Sequence, residues 1–429
     1  MGYRGISCWL ALALWAIRPG SALAEDVWPQ FRGPGGQGHA HAAKLPTEWS
    51  ESHNVAWKTA IPGSGHSSPV IGHGLVWLTY ALEEGRSLWV AAIDVKRGEI
   101  VRQGEVLRTE TAPHVNGKNS HASPTPVLDG DRVYVHFGSS GTACVSTVDG
   151  KTLWTNRDLQ VDHQEGPGSS PILWRDLLIV HCDGRDHQYI AALDKHTGKL
   201  AWKTERSGET PPISDFRKAF CTPLVIDAAA GPLLISPAAQ RLFAYDPATG
   251  AERWTIKYSP GFSNVPRPIF GGGLLYICTG YMKPELWAVR PEGQGDVTST
   301  NVVWKVTQHV PANPSPLLVG DELYLVSDAG IATCLDAKTG KECWRQRLGG
   351  SFSASSLYGA GQVYFFSEGG ETTVIEAGRA FKQLAKNKLD AGFMASPAAI
   401  DGALILRTRT HLYRIEDNAS IAAGALQAK

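Results

Sequence analysis

The sequence has 429 residues, among them 46 glycines, 14 tryptophans and only 3 methionines. Its 41 basic and 41 acidic residues balance to a formal net charge of zero, which excludes a broad electrostatic attraction to nucleic acid or to anionic lipid. An apolar fraction of 43% is ordinary for a folded protein and excludes a disordered chain.

Residues 1–24 predict a cleavable export signal. Arg4 supplies a short positive region, residues 6–17 form an apolar stretch, and an Ala-Leu-Ala sequence ending at Ala24 is a typical cleavage site. The apolar stretch is too short to span a bilayer, and no later apolar stretch approaches the length of a membrane span. We therefore expect an exported protein of the periplasm or cell envelope, cleaved near Ala24, with no membrane span.

A hairpin motif, Asp-x-x-Thr-Gly-x-x-x-Trp, recurs along the chain and indicates a repeat protein. Full copies begin at Asp194, Asp246 and Asp336, and altered copies begin at Asp94 and Asp149. The tryptophans that close the motif, Trp154, Trp202, Trp254, Trp304 and Trp344, recur every 40–52 residues, a period typical of β-propeller blades. We expect the Asp to bind turn N–H groups, the Gly to take a positive φ, and the Trp to pack between blades. The predicted inter-blade tryptophans are Trp57, Trp154, Trp202, Trp254, Trp304 and Trp344.

Eight strand starts run in step with the hairpins and predict eight blades. Most are Ser-Pro or Thr-Pro pairs, and each leads into a short apolar strand, a turn and a second β-rich strand. With the two strands of the hairpin, each repeat has four strands. The starts lie at Ser68, Ser123, Ser170, Thr222, Arg267, Ser315, Ser355 and Ser396.

The eighth repeat lacks its last strand, and residues 54–61 at the other end of the chain supply a matching one that contains Trp57. We predict an all-β, eight-bladed propeller of four-stranded repeats, closed by this N-terminal strand, because closure removes exposed sheet edges. The predicted organisation is a signal peptide (1–24), an N-terminal extension (25–53), the propeller (54–417) and a C-terminal tail (418–429). In the extension, Trp28, Phe31 and Trp49 are expected to anchor the chain across the propeller.

Six cysteines follow the signal, and their scattered spacing disfavours a zinc site or an attached haem. Cys334 and Cys343 flank one hairpin. A disulfide there and two buried thiols both fit the pattern, and the apolar strand context favours the thiols.

The repeat motif resembles the tryptophan-docking motif of the PQQ-like propeller repeat, which occurs in quinoprotein alcohol dehydrogenases and in the outer-membrane assembly factor BamB. The start of the mature chain, from Trp28 to Gly38, also resembles that of exported PQQ-binding-like propeller proteins. The resemblance implies the fold for essentially the whole mature chain. Quinoprotein dehydrogenases commonly carry two adjacent cysteines over the quinone and a Glu/Asn/Asp set for calcium. No two cysteines are adjacent here and no such set aligns, so neither PQQ nor calcium is expected.

The loops that lead into the innermost strands predict the mouth of a central channel. No catalytic residue and no metal ligand is predicted; a metal site on His66 and His121 is disfavoured because a third ligand is missing. Two readings stay open: the polar loop residues bind a ligand, or they only satisfy turn backbones and inter-blade contacts. The candidate binding residues are His66, Asn119, His121, Glu165, Asp215, Arg217, Arg267 and Asn313.

Three functions remain open at this stage. The first is a non-enzymatic binding or protein-assembly scaffold, a monomer whose partner is an envelope protein or a small polar ligand. The second is a PQQ-dependent or other quinoprotein-type oxidoreductase. The third is a carbohydrate-binding module. Because recognisable catalytic motifs are absent from the sequence, the first is preferred.

Overall fold

The computed structural model describes Gly2 and residues 27–258, 261–400 and 402–417. The predicted export signal, apart from Gly2, and the C-terminal tail lie outside the described residues. The described chain forms eight antiparallel sheets, each with a core of four strands that are neighbours in sequence in six of the eight cases. The predicted eight-bladed, all-β propeller is confirmed.

The blades are numbered in chain order, and within each blade the strands run from the innermost to the outermost. Blade 1 consists of Val70–Gly72, Leu75–Leu82, Ser87–Asp94 and Ile100–Arg108, and blade 2 of Val127–Asp129, Arg132–His136, Thr142–Ser146 and Thr152–Asn156. Blade 3 consists of Ile172–Trp174, Leu177–Asp183, Gln188–Asp194 and Leu200–Glu205, and blade 4 of Leu224–Ala228, Gly231–Ala238, Arg241–Tyr245 and Glu252–Lys257. Blade 5 consists of Ile269–Gly271, Leu274–Cys278, Leu286–Val289 and Val302–Val306, and blade 6 of Leu317–Val319, Glu322–Val326, Ile331–Asp336 and Glu342–Arg347. Blade 7 consists of Leu357–Gly359, Gln362–Phe366, Glu371–Glu376 and Gln383–Lys388, and blade 8 of Ala398–Ile400, Ala403–Arg407, His411–Glu416 and Val55–Ala60.

The N-terminal strand closes the ring as the sequence predicts. Val55–Ala60 pairs antiparallel with His411–Glu416 and is the outermost strand of blade 8. Blade 8 therefore has no uncovered edge at its last C-terminal strand, and the two ends of the propeller are joined by backbone hydrogen bonds.

The expanded hairpin of blade 5 forms an additional edge contact. Gly295–Asp296 pairs in parallel with the outer strand of blade 4, through Trp254 and Thr255. A single helical turn, Thr298–Asn301, follows, and short 3₁₀ turns lie at Pro34–Gly36, Glu83–Gly85, Gly138–Ser140 and Ser214–Arg217. The blade 4 edge is thereby partly covered by its neighbour.

The tryptophans of the motif join each blade to the next. In each case the indole Nε1 donates to a backbone carbonyl just after the third strand of the following blade. The rings of Trp57, Trp154, Trp202 and Trp304 also lie against the hairpin glycine of that blade. The acceptors for Trp57, Trp154, Trp202, Trp254, Trp304 and Trp344 are the carbonyls of Val95, Lys195, Pro247, Pro291, Ala337 and Gly378. Blade cohesion thus combines a buried aromatic surface with one satisfied indole donor.

The hairpin glycine is required twice over. Gly198 has φ +71°, and a Cβ added there would lie 2.4 Å from the Trp154 ring. Asp194 Oδ1 accepts hydrogen bonds from the backbone N–H groups of His196 and Thr197 within the same turn. The turn residues are therefore fixed both by their own backbone and by the neighbouring blade.

Cysteines among the described residues are free thiols. Cys334 is buried and Cys343 is half-buried, so of the two arrangements left open by the sequence the structure has thiols. Cys343 adjoins a register shift at the start of the outer strand of blade 6, whereas Cys334 pairs with Trp344.

Candidate functional site

A ring of hydroxyl groups encircles the central channel where the innermost strands begin. Each hydroxyl oxygen accepts the backbone N–H of the equivalent residue in the preceding blade, at N···O distances of 2.9–3.1 Å. Seven of the eight blades contribute a hydroxyl, and blade 5 has Arg267 at this position. The hydroxyls belong to Ser68, Thr125, Ser170, Thr222, Ser315, Ser355 and Ser396.

The N-terminal extension closes one end of this channel. Trp28 exchanges backbone hydrogen bonds with Ile71 on blade 1, and further along the chain Ala40 N–H donates to Tyr358 O on blade 7. Between them, Pro29, Gln37 and His39 bind the innermost strands of blades 2, 5 and 6. Residues 28–40 thus cross the ends of five innermost strands, and we call them the N-terminal plug. The side chains of Trp28 and Trp49 are buried and that of Phe31 is half-buried.

Two buried arginines hold the plug. Arg267 Nη1 donates to Phe31 O at 2.7 Å and its Nε donates to Pro223 O at 3.2 Å. Arg32 Nη2 donates to Gln37 O at 2.8 Å, but its Nε and Nη1 have no partner among the described residues. Burial, together with the charge of Arg267, lowers the pKa of Arg32 to about 9. Arg32 is thus a buried cation whose neighbour is another cation.

Replacing Arg32 by Met is expected to stabilise the protein by about 1 kcal/mol, because it removes a buried charge that is not neutralised and keeps the apolar volume. Arg267→Met is the matched comparison and is expected to destabilise by about 2 kcal/mol, since the Phe31 and Pro223 carbonyls lose their donor. Urea unfolding of both variants at pH 7 measures the difference. Equal destabilisation by the two substitutions would show that Arg32 is as well compensated as Arg267.

Above the plug lies a cavity of about 600 Å³. Its floor is Phe31 and the hydroxyl ring, and its upper wall is made of the loops that precede the innermost strands. Phe216, Phe262 and Tyr281 form one side, with ring centroids 4.6 Å and 5.8 Å apart in that order. The cavity is therefore closed at the plug and bordered by aromatic rings at the mouth.

Each lysine that lines the cavity lies next to a carboxylate. Lys218 Nζ lies 3.1 Å from Glu165 Oε1 and 3.8 Å from Asp215 Oδ1. Lys118 Nζ lies 2.8 Å from Glu368 Oε1 of blade 7. The ionised lining residues are these two lysines with Glu165 and Asp215, which leaves no net charge facing the cavity.

His66 adds no charge at neutral pH. Burial, followed by the positive charges of Arg407 and Arg409, lowers its pKa to about 4. Its backbone N–H is held by Ser120 Oγ and Ala122 O, so the loop that carries His66 is fixed against the loop before blade 2.

Five of the predicted binding residues line this cavity: His66, Asn119, Glu165, Asp215 and Asn313. Two of them also hold loops in place. Asn119 Nδ2 donates to the Glu165 and Pro167 carbonyls, and Asn313 Nδ2 donates to Asp328. Asn119 and Asn313 therefore make the contacts to loop backbones and neighbouring loops that the sequence analysis gave as the alternative to ligand binding.

The other three predicted binding residues do not line this cavity. His121 lies away from the cavity, with its Nε2 at 2.8 Å from Pro113 O, because Thr125 and not Ser123 begins blade 2. His121 is therefore not at the repeat position of His66. Arg217 lines a separate cavity, and its guanidinium binds the Pro211, Arg185 and Pro212 carbonyls. Arg267 lies at the plug, beneath the mouth.

The aromatic wall was missed by the sequence-based prediction. Phe216, Phe262 and Tyr281 come from the loops before blades 4 and 5 and from a turn within blade 5. A signal was present, since an exposed Tyr281-Met282 pair interrupts the polar turn between two apolar strands. The proximity of Tyr281 to Phe262, however, depends on the conformation of the turns in blade 5, and the repeat period does not specify that conformation.

A protein-family model described as outer membrane protein assembly factor BamB matches residues 44–157, 83–346 and 293–383 of this chain. These matches together cover most of the propeller. The chain belongs to this family. Among curated proteins, none gives a significant match to the sequence.

Solved structures with the same fold include proteins of different functions. Quinohemoprotein alcohol dehydrogenase from Comamonas testosteroni matches with a TM-score of 0.65 and 12% identity over 91% of this chain and 80% of its own. BamB from Moraxella catarrhalis matches with a TM-score of 0.59 and 14% identity over 84% of this chain and 98% of its own. A computationally designed protein, Ika8, gives a TM-score of 0.57 and 11% identity over 83% and 98% of the two chains. At these identities the likeness establishes the fold alone.

The residues around the cavity do not fit the calcium-bound quinone of the dehydrogenases. Calcium takes six or more oxygen ligands as a rule. Among the described residues no three His, Cys, Asp or Glu side chains come close enough together to hold a metal ion. Both cavity lysines already face carboxylates, and no described cysteine has an adjacent cysteine.

Among the residues that the structure describes, no helix has the length and apolarity needed to cross a membrane.

Proposed function

We propose that this BamB-family propeller is an exported, non-enzymatic binding protein of the periplasm or cell envelope, and that its central cavity takes a neutral, hydroxyl-rich ligand of the saccharide class. The observation that carries the proposal is the hydroxyl ring at the closed end of the cavity.

The ring is suited to a ligand that has many hydroxyl groups. Each ring oxygen accepts one backbone N–H, as Ser170 N–H to Thr222 Oγ1 at 3.0 Å illustrates, and its own O–H proton can then be donated to a ligand. A saccharide hydroxyl both donates and accepts, so it can complete such bonds at several positions around the ring.

Charge and shape of the lining support the same class. The ionised groups of the cavity sum to zero and His66 is neutral at pH 7, so neither an anion nor a cation is favoured. The aromatic side formed by Phe216, Phe262 and Tyr281 offers apolar surface to the C–H faces of a sugar ring. A volume of about 600 Å³ is within the usual range for small-ligand cavities.

The test is a glycan array with the purified protein, followed by calorimetry on each glycan that binds. Neutral oligosaccharides are expected to bind and charged ones are not. Tyr281→Ala, which removes a ring that lines the cavity, is expected to weaken binding about tenfold. Met282→Ala is the matched control, because Met282 is similarly exposed (62% against 58%) but does not line the cavity.

The pair of variants also separates ligand binding from protein docking on the rim. A partner protein seated on the rim would contact both exposed side chains, so both substitutions would weaken it. Failure of all neutral glycans to bind, or equal losses in Tyr281→Ala and Met282→Ala, would overturn the saccharide proposal.

A further inference from the structure

A second cavity, of about 320 Å³, lies between blades 3 and 4. Its walls are the turn at the end of the second strand of blade 3, the loop that follows blade 3 and the central hairpin of blade 4. No residue lines both this cavity and the central one. It is therefore a separate site and is independent of the proposed saccharide cavity.

The base of this second cavity is a buried polar network. Arg206 Nε donates to Asp183 Oδ1 at 3.0 Å, and its Nη1 donates to the Tyr245 hydroxyl at 3.1 Å. Its Nη2 donates to Ser236 Oγ and reaches His181 Nδ1. The Arg206 side chain is 6% exposed and the guanidinium lies over the Phe243 ring at 5.1 Å. Asp183 is thereby neutralised inside the protein and contributes no free negative charge to the cavity.

The walls above this base are cationic. Arg217 uses its donors on the Pro211, Arg185 and Pro212 carbonyls, and Arg241 Nη1 donates to Ser207 O. Carbonyl oxygens satisfy N–H donors but carry no net charge, so both guanidiniums keep their positive charge. Lys257 is the direct cross-strand partner of Arg241, which places two like charges side by side.

Few carboxylates offset these cations. Lys257 Nζ lies 2.8 Å from Asp296, and Glu209 lines the cavity without an ion pair among the described residues. Four cationic and two anionic side chains line the cavity in all. Arg206 is paired with Asp183 and Lys257 with Asp296, so Arg217 and Arg241 against Glu209 leave a net positive charge. Backbone shape supports the same arrangement: Gly208 has φ +85°, and a Cβ there would lie 1.8 Å from Arg241 Nη1. The loop thus makes room for the guanidinium at the cavity wall.

We propose that this second cavity binds a small anion that carries a carboxylate or phosphate group, held by Arg241, Arg217 and Lys257. Guanidinium groups pair with the oxygens of either group through two parallel hydrogen bonds. The bound anion would also relieve the repulsion between Arg241 and Lys257.

The test is calorimetric titration with inorganic phosphate and, separately, with citrate, both at constant ionic strength. The two probes distinguish a phosphate from a carboxylate ligand, and the wild-type protein is expected to bind at least one. In the double variant Arg241→Gln/Lys257→Gln the affinity is expected to fall at least about tenfold.

A matched control removes the same charge elsewhere. Arg97 and Lys338 lie on the hairpin turns of blades 1 and 6, with side chains 60% and 66% exposed. Arg97→Gln/Lys338→Gln lowers the net charge by the same amount and is expected to keep wild-type affinity. The proposal is overturned if the wild-type protein binds neither probe, if the cavity variant binds as well as wild type, or if both double variants lose affinity equally.

Discussion

Gly198→Ala is expected to lower the free energy of unfolding by about 3 kcal/mol. An alanine at φ +71° is strained, and its Cβ would lie 2.4 Å from the Trp154 ring of the preceding blade. Because the hydrogen-bonded turn cannot move away, the Trp154 indole must shift, and this weakens its hydrogen bond to Lys195 O. Guanidinium unfolding, followed by tryptophan fluorescence, measures the loss.

Gly74→Ala is the matched control for the steric part of that effect. Gly74 has φ +70°, but nothing lies within 4 Å of the position that its Cβ would take. It therefore carries only the backbone strain, about 1 kcal/mol. Equal losses in the two variants would mean that docking of the tryptophan on the glycine contributes nothing to blade cohesion.

Acidification from pH 7 to pH 5 is expected to destabilise the protein, and two buried histidines contribute about 4 kcal/mol of the loss. Burial, followed by the charge of a neighbouring histidine, lowers the pKa of His136 to about 3 and that of His163 to about 4, against 6.5 ordinarily. Both stay neutral in the fold at pH 5, whereas the unfolded chain binds protons below about pH 6.5. Stability is therefore lost as the pH falls from 6.5 towards 4. Urea midpoints at the two pH values measure it.

His163→Phe isolates one of the two contributions. Neither ring nitrogen of His163 has a hydrogen-bond partner among the described residues, so phenylalanine loses no bond there. The variant is expected to lose about 2 kcal/mol less than wild type between pH 7 and pH 5. An unaltered pH dependence in His163→Phe would contradict the assignment.

The fold could be predicted from the sequence because its determinants are local. The Asp-x-x-Thr-Gly turn specifies a hairpin by hydrogen bonds within five residues, and its tryptophan marks the joint to the next blade. Counting the strand starts that run in step with these hairpins gives eight blades, and the unmatched strand around Trp57 gives the closure. The sequence places the start of the second repeat two residues early, because Ser123-Pro124 and Thr125-Pro126 have the same pattern and only the hydroxyl ring distinguishes them.

The site could be predicted only in part, because side-chain direction decides it. The sequence places Arg217 and Arg267 near the mouth of the channel. Their guanidinium groups instead bind backbone carbonyls at the second cavity and at the N-terminal plug, because a long side chain can extend in several directions. Likewise, the hydroxyls of the Ser-Pro and Thr-Pro starts are recognisable in sequence, whereas their closure into one ring depends on the relation between neighbouring blades. The aromatic wall and the second cavity come from turns of different blades and have no periodic signal.

A crystal structure of the protein with a glycan identified on the array tests the central claim most directly. We expect electron density for the glycan in the central cavity above Phe31, with sugar hydroxyls about 2.7–3.0 Å from ring hydroxyls such as those of Ser170 and Thr222 and a sugar face against Tyr281. Glycan density confined to the outer surface of the propeller, with the central cavity holding only solvent, would contradict the claim.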